Sequence, residues 1–292
     1  MTEKIYILLP VHNRREITRK FIESLKAQTS STYNLVLVDD GSSDGTADMV
    51  REYIPDATVL HGIGNWWWAG SLQQGMDWLR TQSLAPDDIV LFINDDSVIP
   101  ADFLAKGSAL LRGLPRTMLQ ACVHDINTGE VLDVGMVYDP KRLQFRTPEP
   151  GEQVNCLTTN GLFVRWSDLA RVGGFHPRAL PHYLSDYEFT IRAGRKGLAL
   201  VVSRELNLLW NRQTTGSRTF NQETLPAFLR AYFSRRSAVN PFYWTSFVLL
   251  ACPWRYLLRH VWRIWKSAFV TIAVKFIEIM KAGTARRNSQ EK

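Results

Sequence analysis

Long apolar runs, paired cysteines and the common nucleotide-site glycine signatures are all missing from this 292-residue sequence. Phe242 to Cys252 is apolar but only eleven residues long, and Pro253 ends it. A spanning helix needs about 20 such residues. The N-terminal run, Ile5 to Val11, is shorter still, and Asn13, Arg14 and Arg15 follow it where a signal peptide would place small residues. Three scattered cysteines (Cys122, Cys156, Cys252) cannot build a disulfide framework or a Cys-rich zinc site, so a reducing compartment is expected. There is no Gly-x-Gly-x-x-Gly, no P-loop and no Gly-x-Ser-x-Gly, and the six histidines show no His-x-x-x-His pairing. Dinucleotide enzymes, P-loop NTPases and α/β-hydrolases lose their main support.

Acids are scarce at one end. From Leu225 onward, twelve Lys and Arg face only Glu278 and Glu291, a balance of +10. The whole chain carries +7, which leaves residues 1–224 at −3. A mildly acidic body offers no basic face to a phosphate backbone, so no nucleic-acid partner is expected.

What the sequence does contain is 45% hydrophobic residues and a regular alternation. Apolar runs at 5–11, 35–38, around 59–60 and 89–93 read as buried strands, and the segments between them carry helical periodicity. Such alternation predicts an α/β fold with a mostly parallel sheet flanked by helices. Residues 119–163 read as hairpins, and helical pattern returns near 166–172 and 184–194. We expect one domain over 1–224 and a basic helical appendage over 225–292. In parallel sheets, ligands bind beyond the carboxyl ends of the strands. Asp39-Asp40-Gly41-Ser42 and Asn94-Asp95-Asp96 both sit at such ends.

Each cluster also has a plainer reading. Adjacent carboxylates at a strand end repel unless a cation or hydrogen-bond donors compensate. A divalent cation would do so at Asn94-Asp95-Asp96, as would a solvated turn. Ser43 or Asp44 can cap the helix at Thr46, which leaves two preceding carboxylates unexplained. Trp66-Trp67-Trp68 cannot all face one core, so at least one should line a pocket. Ser185 and Glu188 have the spacing of a capping box, and Glu188 and Arg192 that of an i,i+4 pair. Asp186 is left over in the first helical turn, where the helix dipole favours its charged form and where it could act as a base.

In order and spacing, Leu9-Pro10-Val11-His12-Asn13-Arg14, Val38-Asp39-Asp40-Gly41-Ser42, Gly64-Asn65 with Ala69-Gly70, Asn94-Asp95-Asp96, Gly173-Gly174-Phe175 and Ser185-Asp186-Tyr187-Glu188-Phe189 with Arg192 and Gly194 resemble a family-2 inverting glycosyltransferase of the GT-A fold. That resemblance covers about residues 4–213. It implies a nucleotide-sugar donor, dTDP- or UDP-linked, held by Pro10, Val11, Asn13, Arg14, Asp39, Asp40, Gly64, Asn65, Trp68, Gly70, Asn94 and Asp95. It implies Mg²⁺ or Mn²⁺ at Asp96 and Asp95, an acceptor beside Trp67, Asn160, Gly161, Tyr187 and Glu188, and Asp186 as the base. Two positions depart from the family pattern. Ser185 stands where relatives often carry Glu, and Asn211 lies where many place a metal-binding His. These departures leave open a non-catalytic sugar-binding protein on the same fold. The Gly64–Gly70 loop is similar to that of bacterial rhamnosyltransferases acting on surface polysaccharides, which implies dTDP-rhamnose as donor.

In the appendage, Arg255, Arg259, Arg263 and Lys266 fall on one helical arc, with Leu257, Leu258, Val261, Ile264, Trp265, Phe269 and Ile272 across much of the opposite face. A basic helix of this kind fits the interface of an anionic membrane, which would make the enzyme cytoplasmic and peripheral on the inner face, with a glycan or lipid-linked acceptor. Packing on the body or on a second copy, giving a homo-oligomer, is the other fate of such a stripe.

Overall fold

The computed structural model describes residues 3–29, 32–211, 222 and 224–290, with side chains as far as Lys281. The N-terminal half alternates strand and helix: β1 (Ile5–Val11), α1 (Arg15–Lys26), β2 (Tyr33–Asp39), α2 (Thr46–Tyr53), β3 (Thr58–His61), α3 (Trp67–Arg80) and β4 (Ile89–Phe92). Next come β5 (Ser97–Val98), α4 (Phe103–Arg112), β6 (Thr117–Asp125), β7 (Val131–Asp133), the β8 (Val137–Asp139) and β9 (Gln144–Arg146) hairpin, and β10 (Leu162–Arg165). The chain continues through α5 (Trp166–Val172), α6 (Ser185–Arg195), β11 (Ala199–Trp210), α7 (Leu225–Tyr232), α8 (Pro241–Ala251) and a long α9 (Leu257–Gln290).

The main sheet runs β3-β2-β1-β4-β10-β6-β11-β5, with β7 paired to β6. Strands β1 to β4 are parallel, as are β6 and β11. Strand β10 is antiparallel to both its neighbours, β4 and β6. It is entered from the hairpin region rather than from a crossover helix, so nothing obliges it to share the parallel direction. Strand β6, expected within the hairpin segment, is instead a central strand buried along nearly its whole length.

Alternation along β1 shows why both faces are covered. Ile7 and Leu9 join Phe21, Ile22 and Leu25 of α1, Val50 of α2 and Phe103 of α4. Tyr6 and Leu8 point the other way, to Leu72 and Met76 of α3 and Phe189 of α6. The carboxyl ends of β1, β2 and β4 consequently open on one edge, and the acidic turns sit there.

The expected domain break at 224/225 does not coincide with the end of the packed body. Phe247 and Ala251 of α8 are buried with Tyr138, Leu180, Leu184 and Ile191. The apolar run that looked too short to span a membrane is a helix that packs one side, Phe247, Val248 and Ala251, against the body and leaves Phe242 and Leu249 exposed.

Candidate active site

A cavity of about 630 Å³ opens beyond the carboxyl ends of β1, β2 and β4. Its wall includes Pro10, Val11, Arg14, Asp40, Gly64, Trp67, Trp68, Asn94, Asp95, Asp96, Asn160, Asp186 and Tyr187, all expected from the sequence. Residues as distant in the chain as β1 and α6 meet because the parallel strands deliver their ends to one edge.

The two carboxylates before Gly41 have separate structural tasks. Asp39 is buried, and its Oδ1 accepts the N–H of Ser42 at 2.8 Å, closing the turn after β2. It holds no place on the cavity wall, contrary to the expectation of a donor contact. Asp40 accepts four backbone N–H groups: Gly64 (2.9 Å) and Asn65 (3.1 Å) at Oδ1, and Trp66 and Trp67 (both 2.9 Å) at Oδ2. Four donors compensate the charge and pin the tryptophan loop to the sheet. The approach is close enough that a Cβ on Gly62 would lie 2.7 Å from Asp40 Oδ1. The loop strains Trp67 into the left-handed region (φ 60°) and turns Trp67 and Trp68 to the cavity. Trp66 packs instead against Gly62 and Gly70.

Several other expected contacts are not part of the wall. Asn13 is tied to the next turn, its Oδ1 accepting the N–H of Ser43 at 2.8 Å. Asn65 donates its N–H to Asp40, and its carbonyl accepts from Arg235. Gly70 packs under Trp66. Gly161, at φ 74°, is enclosed by Leu208, Ala121 and Phe103, so its role is to let the backbone enter β10. Glu188 is buried and paired with Arg192 at 2.7 Å, while Arg192 also donates to the carbonyls of Val172 and Gly174. These bonds lock α6 to the Gly173-Gly174 turn and leave Glu188 away from an acceptor. The capping box is not formed either. Leu184, at φ 68°, precedes the helix, and Ser185 Oγ donates to the His182 carbonyl at 2.7 Å.

After β4, Asn160 Oδ1 accepts from the Asn94 N–H (3.1 Å) and Ser97 Oγ (3.0 Å), so this wall residue braces the acidic turn. Asp95 Oδ2 accepts from Thr18 Oγ1 at 2.9 Å and lies 3.4 Å from Arg14. Burial raises the Asp95 carboxyl to about 7 against the pull of Arg14. Asp96 pairs with Arg14 at 3.0 Å. Pairing β11 with β5 brings Asn211 alongside, its N–H 3.5 Å from the Asp96 carbonyl. Among the described residues, no three His, Cys, Asp or Glu side chains cluster as a metal cage. The wall nonetheless suits a hard cation: Asn94 Oδ1 is buried and makes no hydrogen bond among the described residues, and one or two carboxylates suffice where substrate phosphates complete the shell.

Asp186 lines the same cavity from the first turn of α6. Burial raises its carboxyl to about 7, the Tyr187 N–H at 3.1 Å opposes that, and the charge of Asp133 adds to it. The dipole advantage expected from the sequence is thus outweighed by desolvation. A carboxylate near 7 on a cavity wall can take a proton from a hydroxyl.

Sequence reasoning missed Asp133, His182, Trp210, Arg236 and Trp244, which also line the cavity. Arg236 lies 5.4 Å from the centre of the Trp67 ring. Burial and the charge of Arg236 lower the His182 pKa. Thr159 Oγ1, His182 Nδ1 and Trp210 Nε1 on this wall are buried and make no hydrogen bond among the described residues. Unsatisfied polar atoms gathered on one wall are what a polyhydroxylated ligand would satisfy. The run Arg235-Arg236 was the available signal, but it read as part of the basic appendage.

The family described as "Glycosyl transferase family 2" matches residues 6–167. A "PGL/p-HBAD biosynthesis glycosyltransferase" of Mycobacterium bovis is 26% identical over 191 residues, covering 64% of this chain and 68% of that protein. The crystal structure of TarS from S. aureus superimposes with a TM-score of 0.58 at 18% identity over 86% of this chain, which spans half of the TarS chain. The mannosyltransferase PcManGT from Pyrobaculum calidifontis, in complex with GDP-Man and Mn²⁺, gives 0.54 at 15% identity over 98% of this chain and 80% of its own. These structural likenesses show the GT-A fold, and the family match supplies the chemistry: this chain belongs to glycosyl transferase family 2 and is a glycosyltransferase.

Proposed function

We propose that the protein transfers a sugar from a nucleotide-sugar donor to a hydroxyl of a glycan or lipid-linked acceptor, with inversion at the anomeric carbon. The observation that carries this reading is Asp186, a carboxylate raised to about 7, on the wall of the same cavity as the acidic turn. Asp186 takes the proton of the acceptor hydroxyl as that oxygen attacks the anomeric carbon, and the nucleoside diphosphate departs on the opposite side. Trp67 and Trp68 offer aromatic faces to base and sugar.

The leaving group carries growing negative charge. Arg236, exposed on the wall, supplies positive charge toward it. Asp96, with Asn94 and Asp95 beside it, would hold Mg²⁺ or Mn²⁺, with Asn211 at its flank. Such an ion, when bound, neutralises diphosphate charge. Support for the metal comes from the Asn94 oxygen and from PcManGT, whose complex contains Mn²⁺. For the donor we propose dTDP-rhamnose, on the strength of the Gly64–Gly70 loop, with assembly of surface polysaccharide as the setting and the inner face of the cell membrane as the place.

The test is a melting-temperature screen of nucleotide sugars with and without Mn²⁺. A ligand that binds only the folded state raises the transition. The reading expects the largest rise with dTDP-rhamnose plus Mn²⁺. No rise with any nucleotide sugar would refute it.

A further inference from the structure

On α9, Leu258, Trp262, Trp265, Phe269, Phe276 and Met280 recur at spacings of four, three, four, seven and four residues, which places them on one side of the helix. All are exposed, Leu258 at 88% and Phe269 at 75%. From Leu258 to Met280 the ridge is about 33 Å long at 1.5 Å per residue. The helix is already docked by a different side. His260 is buried and bonds the Pro140 carbonyl at 2.9 Å, and Ala268 is buried with Phe228 and Tyr232 of α7. Arg259 and Arg263 donate to the carbonyls of Lys141 and Arg142 at the hairpin. The arc expected from the sequence is therefore divided: Val261, Ile264 and Ile272 are partly covered, and Leu258, Trp262, Phe269 and Phe276 beside them are exposed.

An exposed apolar strip of this length marks an interaction surface. Its charge identifies the partner. From Arg255 to Lys281 there are six cations and one carboxylate, Glu278. A second copy would bring like-charged flanks together, whereas an anionic surface neutralises them. Tryptophans among exposed aliphatic residues also favour the boundary between headgroups and acyl chains. Among the described residues no helix is long and apolar enough to cross a membrane, so the ridge would lie on one.

The ridge is mechanically continuous with the cavity. Trp265 packs on Phe242 of α8 with ring centres 5.0 Å apart, and its Nε1 donates to Thr245 Oγ1 at 3.1 Å. Trp244, between those two positions, lines the cavity. We propose that the α9 ridge, extended by Phe242, seats the protein on an anionic lipid surface and so presents the cavity to an acceptor carried in that surface. The docking stands on the ridge alone. Only the identity of what is delivered rests on the glycosyltransferase reading.

The full chain is floated with vesicles of equal parts phosphatidylglycerol and phosphatidylcholine, with phosphatidylcholine alone, and with raised salt. The proposal expects flotation with the anionic vesicles, weakened by salt and by removing phosphatidylglycerol. Trp262→Ser/Phe269→Ser/Phe276→Ser is expected to bind at least about tenfold less, since each 1.4 kcal/mol lost is a factor of ten. Its melting temperature and the rise given by a nucleotide sugar should be unchanged. Wild type that does not float, or a triple variant that floats equally well, overturns the proposal. So does a concentration-dependent dimer in sedimentation that the triple variant abolishes, because the ridge would then be covered by a second copy. Flotation without any nucleotide-sugar effect would leave the lipid surface standing and remove the catalytic reading instead.

Discussion

The guanidinium of Arg236 lies 5.4 Å from the ring centre of Trp67, so a residue of the basic C-terminal segment stacks on a loop that the sheet holds in place. Arg14, the other cation on this wall among the described residues, is engaged by Asp95 and Asp96. Arg236→Ala should therefore weaken donor binding by about tenfold or more, with Arg236→Lys recovering part of it, as isothermal titration with a nucleotide sugar would show. Equal affinity in the alanine variant would take Arg236 out of the donor site.

The Trp67 loop depends in turn on Asp40. Replacing its carboxylate with an amide sets an NH₂ group against backbone N–H donors and leaves some of them unpaired. Asp40→Asn is expected to destabilise the fold by roughly 2–3 kcal/mol, since hydrogen bonds to charged groups are worth about 1.5–3 kcal/mol each. Chemical denaturation measures this, and an unchanged midpoint would mean the loop is held by other contacts.

The raised carboxyl of Asp186 makes pH informative. The charged form is the base, so transfer should rise with pH and level off above about 7. Stability should move oppositely. An aspartate ionises near 3.8 in the unfolded chain and about 7 here, so between those values the folded state holds more protons and loses stability as pH rises. Asp186→Asn stays neutral throughout. Its unfolding free energy should match wild type near pH 4 and exceed it above pH 7, by a few kcal/mol at most at about 1.36 kcal/mol per unit, and its melting temperature should rise accordingly.

Asp96→Ala is expected to abolish the Mn²⁺-dependent part of the donor-induced rise in melting temperature while leaving any metal-independent rise. A chelator should have the same effect on wild type. Persistence of a Mn²⁺ effect in the variant would move the ion elsewhere.

Much of this was legible from local pattern. The strand ends at Val11, Asp39 and Phe92 follow from apolar runs, and a parallel sheet brings such ends together. Pattern did not reveal which carboxylate does what. Asp39 and Asp40 are neighbours in sequence, yet one closes a turn and the other gathers N–H groups from the 64–67 loop. That division depends on where a distant segment returns. For Glu188 the i,i+4 pair with Arg192 was legible and forms, but the acceptor role was not: how α6 meets the preceding turn buries the carboxylate with Arg192 and His176. Trp244 and Arg236 were hidden because composition marked everything after Leu225 as one basic unit, whereas packing brings part of it to the cavity and to the body.

The most direct test of the account is transfer of labelled sugar from dTDP-rhamnose to a bacterial membrane extract by Asp186→Asn. Removing a general base costs about 10²–10⁴ in rate. The account predicts a loss in that range with the donor-induced rise in melting temperature intact; undiminished transfer by the variant would contradict it.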